Sequence, residues 1–209
     1  MELGEAIRRR RMTRRFDPAR AVPVQVVERA LEHAVRAPSA GFSQGWDFVV
    51  LTDPADRSAY WSATTMAGPG DEAVWGDRWL RGVSAAPVLI LCLSDPQAYL
   101  DRYAEPDKGW EDRDPSRWPI PYWDVDVGMA AMLILLTAVD EGLGALFFGV
   151  PAGRHDDVRA AFGIPDDRRL VGVVALGYPA PDAAQAPRNP SLARGRRTGV
   201  IHRGKFTTP

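Results

Sequence analysis

The run from 127 to 141 constrains this chain most, because almost nothing in it is polar. Val127, Ala130, Leu133, Ile134, Leu135 and Ala138 are joined by further apolar residues on every other side of the same helix, so no face is left for water. Asp126 is placed to cap this helix, and Gly142 stands where a left-handed residue is needed to end it. A helix apolar all round must be enclosed. In a chain of 209 residues the easiest enclosure includes a second subunit. The longest apolar stretch, 128–139, is too short to span a bilayer.

Other elements follow from periodicity. Pro23 suits a first helical turn, and Val26, Val27, Ala30, Leu31, Ala34 and Val35 recur at helical spacing until Pro38. Apolar runs at 48–51, 88–93 and 170–176, bounded by Pro, Gly or Asp, read as buried strands, with a fourth at 145–150. A short helix is expected over 156–162, ended by Gly163 and Pro165. The stretch 60–122 reads as largely irregular, with Trp61, Trp75, Trp79, Trp110 and Trp118 scattered through it. Such an excursion covers a ligand or is a surface loop held by its own aromatics, and both readings stand. The tail 183–209, rich in Pro, Arg and Gly, wraps a partner subunit or is partly disordered.

The length suits one domain over 1–209. A net charge of -1 gives no overall bias toward nucleic acid or anionic lipid. Cys92 is the lone cysteine, which excludes an internal disulfide and a thiolate-rich metal site. With no apolar leader at the N-terminus, the expected location is the cytoplasm. Gly142, Gly144 and Gly149 have the wrong spacing for a dinucleotide fingerprint, and no phosphate-loop, zinc-protease or nucleophile-elbow motif occurs. His33, His155 and His202 are isolated, so no metal is expected.

Three places carry chemistry. Arg8, Arg9, Arg10, Arg11, Arg14 and Arg15 crowd the N-terminus, and Arg194, Arg196, Arg197 and Arg203 lie in the tail. Arginine holds phosphate bidentately and keeps its charge, so two such clusters meeting in space would bind one anionic group. A solvated basic face is the other reading. The loop 37–48 offers small residues with Ser39, Ser43 and Gln44, which lets backbone approach a flat ligand, or it simply joins helix to strand. The segment 141–149 sets glycines beside Phe147 and Phe148, as a floor for a heterocycle or as core packing.

In this order the three places resemble the FMN-dependent nitroreductase family along nearly the whole chain. Arg10, Arg11, Arg14 and Phe16 are similar to its N-terminal flavin segment. A-P-S-A-G-F-S-Q-G-W at 37–46 resembles its A-P-S-x-x-N-x-Q-P-W loop, and E-G-L-G at 141–144 with F-G-I-P at 162–165 resembles its C-terminal half. The resemblance implies an α+β three-layer sandwich: a central mixed, mainly antiparallel sheet flanked by helices, in a domain-swapped homodimer with FMN at the interface. It implies that Arg10 and Arg14 serve the flavin phosphate and polar edge, and that Arg11 and the Met12 backbone flank the ribityl chain. Pro38, Ser39, Ala40 and Phe42, with Gln44 in the same loop, would come from the partner subunit. Phe147, Phe148 and Gly149 would lie against the ring, Arg194 and Arg196 would complete phosphate binding, and Arg81 would approach the pyrimidine.

The activity implied is hydride transfer from NADPH or NADH to a small organic acceptor such as a nitroaromatic or quinone, by a ping-pong route. The flavin carries the chemistry. No side chain acts as nucleophile, and Arg14 or Arg81 serves as electrostatic stabiliser. Met12 stands for the family's serine, Phe42 for its asparagine and Gly45 for its proline, changes expected to make the loop more apolar and more mobile. Three other readings are a flavin destructase making dimethylbenzimidazole from reduced FMN and oxygen, a flavin carrier without turnover, and a nucleic-acid-binding module. Balanced charge and the lack of a helix-turn-helix count against the last.

Overall fold

A computed structural model describes residues 1–65, 77–181, 183 and 195–206. The helices are α1 (Leu3–Arg9), α2 (Val24–Ala34), α3 (Pro54–Thr65), α4 (Asp77–Val83), α5 (Pro96–Ala104), α6 (Tyr122–Asp140) and α7 (His155–Phe162). The strands are β1 (Trp46–Leu51), β2 (Val88–Ser94), β3 (Gly144–Phe148) and β4 (Arg169–Gly177). All four expected strands are present, and so are the helices after Pro23 and before Gly163.

The strands form one sheet in the order β1-β2-β4-β3, each neighbouring pair antiparallel. Among the described residues the one parallel contact is an isolated bridge between Met12 and Ala145 beside β3. Successive strand residues point to opposite faces, and each face builds its own core. On one side Ile90, Cys92, Val174 and Leu176 pack with Val27, Ala30 and Ala34 of α2 and Val127 and Ile134 of α6. On the other, Leu89, Leu91, Val173 and Ala175 pack with Tyr60 and Trp61 of α3, Val83 of α4 and Val158 of α7. The result is the three-layer α+β sandwich that the resemblance implied.

Two expectations are corrected. The described part of 60–122 is not largely irregular: the end of α3, α4, β2 and α5 lie in it, and its aromatics separate into two packed groups. Trp61 and Trp79 join Tyr60 and Phe148, while Trp110 and Trp118 join Tyr99, Tyr103, Tyr122 and Trp123. Trp75 lies outside the described residues.

The apolar helix also starts earlier than position 127, following Pro121. Asp126 is therefore inside it and buried to 1% exposure, not a cap. Gly142, with φ +71°, follows its end as expected. At 19 residues α6 is long and apolar enough to cross a membrane by length and composition, contrary to the estimate from 128–139, but half of that span is buried within the fold.

The N-terminal segment is threaded between β3 and α4. The Thr13 N–H donates to the Ala145 carbonyl at 2.9 Å, and the Phe16 N–H to the Gly82 carbonyl at 3.3 Å. A Cβ at Gly82 would collide with the backbone carbonyl of Arg14. Neither backbone yields cheaply, so Gly82→Ala should destabilise the protein by about 1–3 kcal/mol. For a chain of this size that lowers the thermal midpoint by roughly 2–4 °C per kcal/mol, measurable by calorimetry.

Candidate functional site

The N-terminal arginines are set out along this threaded segment. Arg10 follows α1 and is half-buried; its Nη1 is buried with no hydrogen-bond partner. Arg11 directs its Nη1 to the carbonyls of Arg8 at 2.6 Å and Arg10 at 3.0 Å. Arg14 is exposed, with its Nη1 3.3 Å from the Met12 carbonyl. Met12 sends its side chain against both cores, which accounts for an apolar residue where the family has serine. Arg81 is exposed on α4, next to the Gly82 that abuts Arg14. The structure thus brings Arg10, Arg11, Met12, Arg14 and Arg81 to one edge of the sheet, beside β3.

Phe147 and Phe148 end β3 and face opposite layers. Phe147 packs over Gly172, where a Cβ would strike its ring. Phe148 stacks on Trp61 with centroids 6.0 Å apart and planes 5° from parallel, and contacts Trp79 edge-on at 5.4 Å. The two rings therefore project into opposite layers of the sandwich. Gly149 is exposed just beyond. Because the Phe148 ring is committed to the core, Phe148→Ala should cost about 3–5 kcal/mol in ligand-free protein. Chemical denaturation without any flavin tests this; a loss seen only with flavin bound would contradict it.

The loop before β1 lies elsewhere. Pro38 and Phe42 are exposed, and Ser39 and Ala40 are half-buried. The Ser39 Oγ accepts from the Gln44 N–H at 3.0 Å, and the Ala40 N–H donates to Asp126 Oδ2 at 2.8 Å. The Arg102 Nε–H donates to the Gly41 carbonyl at 2.9 Å. Gly45 is buried against Tyr99: a Cβ there would sit 2.5 Å from the Tyr99 ring and 2.7 Å from the Asp95 carbonyl. Glycine suits this position for want of room, in a loop tied by hydrogen bonds to α5 and α6.

With β1 and β3 at opposite edges, three strand spacings put the loop at least about 14 Å from the N-terminal arginines. One protomer does not bring the two halves together. Arg196 is exposed, and Arg194 lies outside the described residues. Two hollows line the surface, one of about 440 Å³ between Asp124, His155, Arg159 and Arg169, and one of about 430 Å³ between Leu3, His33, Leu133 and Asp140. Neither touches these residues. Among the described residues no group of three or more His, Cys, Asp or Glu is arranged to hold a metal ion.

Sequence reasoning missed that Asp126, Tyr99 and Arg102 meet at the loop before β1. The signal available was a carboxylate directly ahead of an apolar run, which a capping role seemed to satisfy. The Tyr99 hydroxyl donates to the same Asp126 Oδ2 at 2.8 Å. Burial first, and then this hydrogen bond, push the phenol above its ordinary range. A phenol raised in the folded state stabilises the fold at all pH below the unfolded value near 10 and loses that contribution as pH rises beyond it. Tyr99→Phe should therefore flatten the decline of thermal midpoint above about pH 10, relative to the parent protein.

The sequence pattern of the Nitroreductase family matches residues 7–178. The chain belongs to this family. It is 32% identical over 208 residues to the NADH dehydrogenase of Thermus thermophilus, a match covering 91% of this chain and 93% of that protein. Its fold is similar to an FMN-dependent nitroreductase from Clostridium difficile, with a TM-score of 0.66 and 19% identity over 96% of this chain and 98% of that one. It is also similar to an oxidized iodotyrosine deiodinase bound to FMN and 3-iodo-L-tyrosine, with a TM-score of 0.65 and 22% identity over 99% and 100%. At such identities the two structures establish a shared fold.

Proposed function

We propose that this family member is an FMN-dependent oxidoreductase, one domain over 1–209, acting in the cytoplasm as a homodimer without nucleic acid or membrane. The observation that carries this reading is Arg10. A buried guanidinium nitrogen with no partner is costly unless an anion meets it, and a phosphate is the anion that this geometry suits. The residues present therefore fit a flavin phosphate. Bound FMN would supply the redox chemistry, accepting hydride from NADH or NADPH and returning it to a small acceptor such as a nitroaromatic or quinone. The Thermus relative's name, NADH dehydrogenase, supports this reading over a destructase.

The chain's own residues bind, orient and tune. Arg10 would hold the phosphate, with Arg194 and Arg196 of the tail completing its shell. Arg11 and the Met12 backbone would line the ribityl chain. Arg14 and Arg81, exposed on the same edge, would favour negative charge on the bound ring. Phe147 and the backbone of Phe148 and Gly149 would border it. Pro38, Ser39, Ala40, Phe42 and Gln44 would be supplied by the second copy, because their own protomer holds them at the far edge of the sheet. Val125 and Met132 on α6, 41% and 43% exposed, and Leu3 and Ile7 on α1, 64% and 56% exposed, give that copy an apolar surface. Ile201 and Phe206 in the tail, 81% and 79% exposed, give an arm to wrap it.

Purified protein should bind FMN, gaining thermal stability as flavin is added. Arg10→Ala should weaken binding by about 10- to 100-fold, read by flavin fluorescence. Bound flavin should bleach with NADH or NADPH under nitrogen and recover with a nitroaromatic or quinone. Colourless protein that FMN does not stabilise would overturn the proposal, and dimethylbenzimidazole formed in air would replace it with the destructase reading.

A further inference from the structure

The loop 37–45 is held in an expensive shape by a buried carboxyl group. Asp126 is 1% exposed, and its Oδ2 takes both the Ala40 N–H and the Tyr99 hydroxyl at 2.8 Å. Arg102 grips the Gly41 carbonyl, while Asp107 fixes its guanidinium through two bonds of 2.7 and 2.8 Å. Inside this frame Phe42 has φ +58° and Gln44 φ +52°. Non-glycine residues, bulky ones above all, enter that region only where their surroundings over-determine them. The product of this strain is a Phe42 side chain 74% exposed. Within its own subunit the ring gains almost no burial from the arrangement.

We propose that Asp126 is a positioning residue that, through the Ala40 N–H and Tyr99, holds Phe42 in place to close the flavin slot of a second copy of the chain. This rests on the FMN homodimer reading above. Asp126 touches no cofactor and acts only through the loop. Both donors converge on one oxygen, so an amide oxygen in the same place preserves both bonds and a methyl group preserves neither.

Asp126→Ala should therefore weaken FMN binding by about tenfold or more, and Asp126→Asn should restore most of it. Ala40→Pro is a second variant, deleting the donor at the first position of a short 3-10 turn where proline fits. The preceding Ser39, at φ -137° and ψ 144°, already has the extended backbone that proline demands. If Asp126→Ala fails to fold by circular dichroism, Ala40→Pro carries the same test, with the same loss expected.

Mixed dimers separate this role from simple destabilisation. Subunits carrying Asp126→Ala and Arg10→Ala, co-expressed with different tags, should each bind FMN poorly as homodimers. The heterodimer should recover one site of parental affinity, because one slot then draws an intact arginine from one subunit and an intact loop from the other. A heterodimer without a tight site would overturn the proposal, as would parental affinity in both Asp126→Ala and Ala40→Pro. Failure of the flavin reading itself shows differently: the unsubstituted protein then binds no FMN, and both proposals fall.

Discussion

Because α6 is apolar on every side, each of its faces needs cover, and the elements that provide it are those that position the candidate site. The sheet covers one face through Ile90, Ala145 and Val174, and α2 covers another through Val27, Ala30 and Ala34. α1 lies against the far end, where the Met1 amine pairs with Asp140. Cover is incomplete along Val125 and Met132. Burying an aliphatic side chain contributes about 1.5–3 kcal/mol, so this stripe and the exposed Leu3 and Ile7 favour association over solvation. The proposed dimer is thus a consequence of α6's composition as much as of the ligand.

The same helix separates the two halves of the site. The loop before β1 is tied to Asp126 near the start of α6, and the N-terminus to Asp140 at its end. Asp126 and Asp140 stand 14 positions apart in the sequence, about 21 Å of helix. A rigid spacer of that length, on a sheet whose edge strands are β1 and β3, prevents one chain from folding its loop onto its own arginines. A slot built from both needs two chains, and under the proposed reading dimerisation and cofactor binding are one event.

What the sequence disclosed and what it hid divide along physical lines. All four strands, α2, α7 and Gly142 were legible because apolar period, proline and glycine act locally. The extra turn of α6 was hidden because Trp123 is held by Tyr99, far off in the chain, and both Tyr122 and Trp123 pack on Trp118 just upstream, contacts that apolar periodicity does not report. Asp126 was misplaced for the same reason: a carboxylate ahead of an apolar run reads as a cap, and its partners Ala40 and Tyr99 lie 86 and 27 residues away. The arginine segment and the proline-serine loop were found as motifs. Their separation within one protomer became visible only with the strand order.

The energetics of Arg10 bear on which ligand such a slot selects. A buried donor left unpaired costs about 1–3 kcal/mol, more when the group is charged, and the free protein carries that cost at Nη1. A ligand with an anionic group removes the penalty and adds a charge-assisted bond. A neutral ring of the same shape does neither. Under the proposed reading the site therefore discriminates FMN from its dephosphorylated form by more than the attraction alone, because the neutral competitor leaves the penalty in place. Lysine would not reproduce this: its ammonium is more strongly hydrated and lacks the planar fork, so at the same position it would be drawn toward water.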